Sequence, residues 1–251
     1  MSQGSNQRFY EEFAEVYESV YAQVDEDAAV GRWVRLLEDV ALLPAHETRL
    51  LTPPALIDIG CGPGWYLAAW QKLGFRPTGI DTSPTMLSLA RKSLRLAGIQ
   101  CPLVLGDVLA VNSSSPLAGG FQVAVSHLFF PNLFSPKSLG KLMMAVASLL
   151  TPGGIWIADW RVGLADVASS SETLLFDGTV WTRKNVFDLS GNSFVQSWTS
   201  GETHLEERFW SHDPSQIRSA ASEAGLNICA QRDFLDTPQS RTLVLQSAPV
   251  P

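Results

Sequence analysis

Between residues 55 and 160, short apolar runs that end in turn residues alternate with segments of helical periodicity. This alternation is typical of βαβ units, in which parallel strands form one sheet and the intervening helices cover both of its faces. The predicted strands are 55–60, 76–81, 101–107, 121–127 and 154–160. The predicted helices are 65–73, 83–97 and 136–150. The fold class is therefore predicted to be α/β, with an open and mostly parallel sheet.

The segment before this core is predicted to be helical. Apolar residues at spacings of three and four indicate two helices within 7–43. A polar break at Gln23–Asp27 separates them, and Asp25 is suited to cap the second helix.

The segment after the core changes character at about Asp166. Three runs joined by glycine-containing turns predict an antiparallel insert, with strands at 179–189, 193–200 and 203–210. A helix at 214–225 and two strands then close the chain, at 226–234 and 241–248. The Ser-rich stretches 113–115 and 169–171 are predicted to be loops.

We interpret the whole chain, 1–251, as a single domain in four parts. These parts are an N-terminal helical lid (1–50), a cofactor-binding core (51–165), an antiparallel substrate-side insert (166–212) and a closing helix and hairpin (213–251). Apolar residues make up 45% of the 251 residues, which is enough for a buried core.

Charge and composition narrow the possible partners. Eighteen Lys and Arg residues against 25 Asp and Glu residues give a net charge of −7, which argues against nucleic acid as a partner. We find no run of ~18 apolar residues that could cross a bilayer, and the first residues lack the features of a secretory signal. Three widely separated cysteines are typical of reduced thiols. We expect a cytoplasmic protein with no membrane partner; the oligomeric state stays open.

The most informative segment is the turn Asp58-Ile59-Gly60-Cys61-Gly62-Pro63-Gly64, which follows a predicted strand and precedes a predicted helix. Glycines at alternate positions let the backbone turn sharply and let a ligand approach the main chain. Such a turn also occurs in nicotinamide dinucleotide sites, but the third glycine of that fingerprint is replaced by Trp65. Cys61 is interpreted as a small residue that fills the turn.

Acidic residues end the next two predicted strands. Asp81 is suited to accept hydrogen bonds from both hydroxyls of a ribose, and Asp107 to accept one from the exocyclic amine of an adenine, with the Val108 amide beside a ring nitrogen. Three successive strand ends would then hold an amino-acid tail, a ribose and a base, at the edge where open α/β sheets bind ligands. Taken singly, Asp58 is equally explained as a helix cap and Asp81 as a turn residue.

At this point the chain resembles the class I S-adenosylmethionine-dependent methyltransferases. The resemblance covers about 55–160 and the terminal strands. It depends on five segments in order: DIGCGPG (58–64), GIDTSPTML (79–87), GDV (106–108), SH (126–127) and LLTPGGIWIADW (149–160). It implies a Rossmann-like, seven-stranded sheet with a reversed last hairpin.

The resemblance also implies S-adenosyl-L-methionine as cofactor, contacted by Asp58, Gly60, Gly62, Met86, Asp81, Asp107 and Val108. Met86 is expected to pack on the adenine. We assign four neighbouring residues and one lid residue to the same site, namely Cys61, Gly64, Thr82, Ser126 and Tyr17.

His127 and Tyr21 are the candidate catalytic residues. His127 ends the fourth core strand, where the methyl group is expected, and imidazole titrates near neutral pH. A hydrogen-bonded histidine with a purely structural role is the alternative. Tyr17 and Tyr21 share one face of the first helix, in a segment that resembles the lid of amino-sugar N-methyltransferases; packing in the core would explain them equally well.

Candidate acceptor-binding residues are Tyr10, Trp160 and Arg161. Arg161 either grips an acidic substrate group or pairs with a surface carboxylate. We expect no metal, and we expect methyl transfer by direct displacement to a nitrogen, or an oxygen, of a small-molecule acceptor. The alternatives are a nicotinamide-dependent oxidoreductase and a module that binds S-adenosylmethionine without catalysis.

Overall fold

The structure is a computed structural model that describes residues 9–21, 25–128, 130–162, 169–176, 178–188, 192–234 and 237–248. Within these ranges, no helix has both the length and the apolar character that crossing a bilayer requires.

Three helices precede the first strand: α1 (Ala14–Tyr21), α2 (Glu26–Asp39) and α3 (His46–Leu51). Residues 9–12 are also helical. The Asp25 carboxylate accepts a hydrogen bond from the Ala28 amide and caps α2, as its position in the polar break predicts. α3 was not predicted, because six residues are too few to establish a helical period.

The core alternates strands and helices as predicted. Its elements are β1 (Ala55–Ile59), α4 (Trp65–Lys72), β2 (Arg76–Asp81), α5 (Pro84–Leu96), β3 (Leu103–Leu105), β4 (Phe121–Ser126), α6 (Pro136–Leu149) and β5 (Leu150–Arg161). Ser83 caps α5 by accepting a hydrogen bond from the Met86 amide, and Pro84 occupies the first helical position. Two short 3-10 helices, Val108–Ala110 and Phe130–Leu133, follow β3 and β4.

Four strands form the insert, one more than predicted. They are β6 (Ser170–Phe176), β7 (Thr179–Asp188), β8 (Ser193–Ser200) and β9 (Thr203–Trp210). The prediction of a loop at 169–171 is wrong for Ser170 and Ser171, which pair with Asn185 and Lys184. Serine composition alone indicated a loop, whereas the cross-strand hydrogen bonds of β7 impose the strand.

The chain closes with α7 (Pro214–Glu223), β10 (Leu226–Phe234) and β11 (Thr237–Ser247). The main sheet has seven strands in the order β10-β11-β5-β4-β1-β2-β3. β1 pairs in parallel with β2 and β4, whereas β11 runs antiparallel to β5 and β10. The predicted Rossmann-like sheet with a reversed last hairpin is confirmed.

The apolar residues divide into clusters that hold the layers together. All five residues of β1 are buried, as expected for a parallel strand covered on both faces. Large buried clusters lie against the main sheet. A separate cluster joins the N-terminal segment to the insert, because Phe9 and Phe13 pack against Trp181 and Trp198. The N-terminal segment is thereby held beside the antiparallel sheet.

Candidate functional site

A cavity of about 280 Å³ is lined by residues at the carboxyl ends of β1, β2 and β4. β1 lies between β2 and β4 in the sheet, so the direction of chain progression reverses there. Open α/β sheets bind ligands at this kind of crevice. Tyr10 and Tyr17 of the N-terminal segment form a further part of the wall.

The glycine turn after β1 is tied to the end of β2. The amides of Gly60 and Cys61 donate to the Ile80 carbonyl oxygen, at 2.8 and 3.1 Å. Gly60 has a φ of +74°, and a Cβ there would lie 2.3 Å from Cδ2 of Phe130. At Gly62 (φ +50°), a Cβ would meet no atom within 4 Å. The turn therefore needs glycine at both positions for its backbone conformation, and at Gly60 for close packing as well.

Asp58 is the penultimate residue of β1 and a buried carboxyl group that lines the cavity. Its Oδ2 atom has no hydrogen-bond partner among the described residues. Burial, together with the negative charge of Asp81, raises the pKa of Asp58 to about 8. A bound cation at this position would stabilise the ionised form.

Asp81 and Asp107 line the same cavity. Asp81 accepts hydrogen bonds from the amides of Gly62 and Ser83, at 2.9 and 2.8 Å. Burial raises the pKa of Asp81, and these amide donors partly offset that increase. Asp107 Oδ1 accepts from the Leu109 amide and caps the first 3-10 helix. Each carboxylate oxygen has two acceptor positions, so these bonds leave capacity for a ligand.

Four other predicted cofactor residues line the cavity, namely Cys61, Thr82, Met86 and Val108. Met86, Cys61 and Val108 are buried and give this part of the wall an apolar character. Within the described chain, no group of three or more His, Cys, Asp or Glu side chains is arranged to hold a metal ion.

His127 lines the cavity, but its surroundings disfavour the predicted role as a general base. Its ring is stacked between Tyr66 and Trp33, with centroid distances of 3.7 and 4.1 Å. Its Nε2 atom accepts a hydrogen bond from the indole nitrogen of Trp70 at 3.2 Å. Enclosure by these rings disfavours the charged form and lowers the pKa of His127 to about 3. A neutral imidazole of such low basicity is a poor proton acceptor at neutral pH.

The N-terminal tyrosines differ in what the structure describes. Tyr17 lines the cavity and stacks on Trp65, with 5.7 Å between ring centroids. Tyr10 also lines it, and its ring lies 6.1 Å from that of Tyr17. The side chain of Tyr21 lies outside the described part of the molecule.

Four predicted site residues do not line the cavity. Gly64 instead caps α4, where a Cβ would lie 3.0 Å from that of Ala90. Ser126 is buried and accepts a hydrogen bond from the Trp156 indole. Trp160 is fully buried and packs against Trp156. Each of these residues is engaged by its neighbours, and its contact with a ligand stays a prediction.

Arg161 is the fourth of these residues. Its guanidinium lies 5.2 Å from the ring centroid of Phe194, and its backbone amide donates to Asn132 Oδ1 at 2.8 Å. Its contacts are thus with the insert and with the second 3-10 helix. Both predictions for its side chain, a grip on an acidic substrate group and a pair with a surface carboxylate, stay predictions.

Sequence reasoning missed Glu207, a buried carboxylate on β9 that accepts a hydrogen bond from the Tyr10 hydroxyl at 2.9 Å. The strand sequence THLEERFW contained a signal for it. Leu205 and Glu207 share one face of the strand, and Leu205 is buried, so a charge stands where the alternation predicts an apolar residue.

Comparisons with known proteins agree with this geometry. Residues 56–154 match a family model described as a methyltransferase domain. A curated relative, the ubiquinone biosynthesis O-methyltransferase of Methylobacterium sp. (strain 4-46), is 25% identical over 174 residues. That match covers 68% of this chain and 59% of the relative.

Solved structures share the fold over nearly the whole chain. An S-adenosylmethionine-dependent methyltransferase from Clostridium acetobutylicum ATCC 824 superimposes with a TM-score of 0.75 at 18% identity, covering 95% of this chain and 99% of that one. An amino pentose methyltransferase from Micromonospora echinaspora gives 0.67 at 18% identity, with coverages of 93% and 97%. Residues 56–154 therefore match a methyltransferase domain, and the chain has the class I S-adenosylmethionine-dependent methyltransferase fold.

Proposed function

We propose that this protein transfers the methyl group of S-adenosylmethionine to a nitrogen, or an oxygen, of a small-molecule acceptor by direct displacement. The observation that carries the proposal is the meeting of Asp58, Asp81 and Asp107 around one cavity, at three strand ends of a methyltransferase domain.

The residues around the cavity fit this cofactor. The unpaired Oδ2 of Asp58 offers a partner for the ammonium group of the methionine moiety. Asp81 would hold the ribose hydroxyls with the acceptor positions that its two backbone bonds leave. Asp107 and the Val108 amide would hold the adenine edge, and the buried Met86 would pack on its ring. The charged, polar and apolar parts of the ligand would thus each meet complementary residues of the cavity.

S-adenosylmethionine supplies an electrophilic methyl group on a sulfonium sulfur. The task of this chain is to align the acceptor with that group and to exclude water, and alignment alone is worth ~7–11 kcal/mol in well-oriented systems. Tyr17, Trp65 and Phe130 are among the aromatic residues that enclose the cavity. Within the described residues, no histidine of ordinary basicity lines the cavity, which supports a mechanism of positioning and not one of general-base catalysis.

The residues that line the cavity favour nitrogen slightly over oxygen as the acceptor atom that receives the methyl group. Of the described residues that line the cavity, three are aspartates and none is Lys or Arg, which disfavours an anionic acceptor. The curated relative is named an O-methyltransferase and one structural neighbour an amino pentose methyltransferase, so these names leave both atoms open. We propose residues 1–50 as the lid and 166–212 as the acceptor-side insert, supported by the packing of Phe9 and Phe13 on Trp181 and Trp198.

Titration calorimetry with S-adenosylhomocysteine and with NAD tests the cofactor. We expect micromolar binding of the first and no heat from the second; the reverse pattern would indicate a nicotinamide-dependent oxidoreductase. Incubation with a donor carrying a labelled methyl group and panels of amines, amino sugars and phenols then tests transfer. Tight cofactor binding without transfer to any panel would favour a non-catalytic binding module.

A further inference from the structure

Glu207 is an ionisable side chain in an apolar setting outside the cofactor wall. It is 3% exposed, and on the same face of β9 it is preceded by Leu205, also 3% exposed. Leu205 belongs to the cluster in which Phe9 and Phe13 pack on Trp181 and Trp198. The carboxylate therefore lies at the boundary between the N-terminal segment and the insert.

Burial of a carboxylate in such a place is unfavourable for stability unless the charge has a partner. Among the described residues, the hydrogen bond seen at the Glu207 carboxylate comes from the Tyr10 hydroxyl, 2.9 Å from Oε2. Burial raises the pKa of Glu207 to about 8 in spite of this bond. One neutral donor offsets only part of the desolvation cost, which is a reason to seek a functional role.

Tyr10 connects this carboxylate to the cavity. Tyr10 lines the cavity, and its ring contacts that of Tyr17, which in turn stacks on Trp65 beside the glycine turn. Because the phenol proton is donated to Glu207, the phenol oxygen interacts with a ligand as a hydrogen-bond acceptor. A ligand that meets Tyr10 must therefore supply an N–H or O–H group.

We propose that Glu207 is a positioning residue for the methyl acceptor, holding the Tyr10 hydroxyl so that its oxygen accepts a hydrogen bond from a cationic, amine-bearing molecule. A bound ammonium group favours the ionised form of Glu207 over the protonated form. That charge then strengthens the phenol oxygen as an acceptor and favours an ammonium over a neutral hydroxyl. This inference rests on the proposed function and narrows its acceptor to the amines.

Three probes of similar shape and different charge test the inference: benzylamine, benzyl alcohol and benzoate. Their binding is measured by calorimetry on protein saturated with S-adenosylhomocysteine, so that no transfer takes place. We expect wild-type protein to bind benzylammonium at least about tenfold more tightly than benzyl alcohol, since a hydrogen bond to a charged group is worth about that factor or more. Benzoate is expected not to bind.

Two variants disrupt the proposed interaction between Glu207 and Tyr10 in different ways. Glu207→Gln keeps the size of the side chain and removes its charge, whereas Tyr10→Phe removes the phenol oxygen. Both are expected to bring the affinity ratio of benzylammonium to benzyl alcohol close to one. Glu206→Gln, on the neighbouring and exposed residue of β9, is the matched control and should keep the wild-type ratio. If Glu207→Gln does not fold, Tyr10→Phe supplies the same ratio.

The outcomes separate this inference from the function on which it rests. Failure of wild-type protein to bind S-adenosylhomocysteine would overturn the proposed function. Normal binding of that nucleoside, with benzylammonium no tighter than benzyl alcohol, would overturn only the role of Glu207. So would a preference for benzylammonium that survives in the variants. A purely structural role predicts lower stability of Glu207→Gln with an unchanged affinity ratio.

Discussion

The imidazole ring of His127 lies parallel to the phenol ring of Tyr66, with 3.7 Å between their centroids and 4° between their planes. Trp33 stacks on the imidazole as well, at 4.1 Å and 6°. The indole nitrogen of Trp70 donates to Nε2 of the same ring. These contacts join α2, α4 and the end of β4, and they hold the His127 ring in place and favour its neutral form beside the cavity.

We expect the stability that His127 contributes to decrease as the solution becomes acidic. Its pKa is about 3 in the folded state and ~6.5 when unfolded, so the unfolded chain binds the additional proton between these values. Between pH 7 and pH 5, the free energy of unfolding of wild-type protein should fall by about 2 kcal/mol relative to His127→Gln. Urea titrations at both pH values measure this difference.

Replacement of the exposed His46 by Gln is the control for that experiment. If the difference in the free energy of unfolding between wild type and His127→Gln does not change with pH, the His127 ring titrates normally in the folded protein.

We expect Asp81→Asn to weaken the binding of S-adenosylhomocysteine by about 10- to 100-fold, because hydrogen bonds to a charged acceptor are lost. The amide oxygen that remains can still accept from the Gly62 or Ser83 amide, so the fold should persist, as circular dichroism would verify. Asp39→Asn removes an exposed carboxylate of α2 and serves as the control. An unchanged dissociation constant in calorimetry would refute the assignment of Asp81 to the cofactor.

Gly60→Ala should be more destabilising than the same change at Gly98. Both glycines have positive φ, +74° and +70°, and this conformation costs an alanine about 1–2 kcal/mol. At Gly98 a Cβ would meet no atom within 4 Å, whereas at Gly60 it would overlap the Phe130 ring. Such overpacking costs about 1–3 kcal/mol more.

Thermal or chemical unfolding of the two glycine variants gives the comparison, and Phe130→Ala in the Gly60→Ala background should recover part of the loss. Equal destabilisation at the two glycines would mean that Phe130 does not pack on the turn.

Asn132→Ala should loosen the attachment of the insert to the core. The buried Asn132 amide donates to the carbonyl oxygens of Arg161 and Trp210, at 2.9 and 2.6 Å, and its oxygen accepts from the Arg161 amide. Leaving these buried groups without partners should cost about 1–3 kcal/mol. Amide hydrogen exchange should accelerate in β9 while β1 stays protected.

Asn112→Ala is the control for this variant. The Asn112 side chain is exposed, and its described hydrogen bond is a local one, from the Ser114 amide. Equal amide exchange rates of β9 in the Asn132 and Asn112 variants would show that Asn132 does not attach the insert to the core.

The order of strands and helices in the core followed from the sequence because its determinants are local. Side-chain periodicity and caps such as Ser83 act within a few residues, so the observed limits of β1, β2 and α5 lie within about a residue of those predicted. Because β1, β2 and β3 are parallel, their carboxyl ends lie at one edge of the sheet. Asp58, Asp81 and Asp107 lie at or next to these ends and therefore meet at that edge. The acidic side of the candidate site was therefore predictable.

The tertiary structure decided what the environment of each side chain allows. His127 looks like a base in the sequence, but stacking by Trp33 and Tyr66 from two separate helices keeps it neutral. The bond between Tyr10 and Glu207 joins residues 197 positions apart. Burial, stacking and the pairing of distant groups depend on how the layers pack, and no local pattern in the chain specifies them.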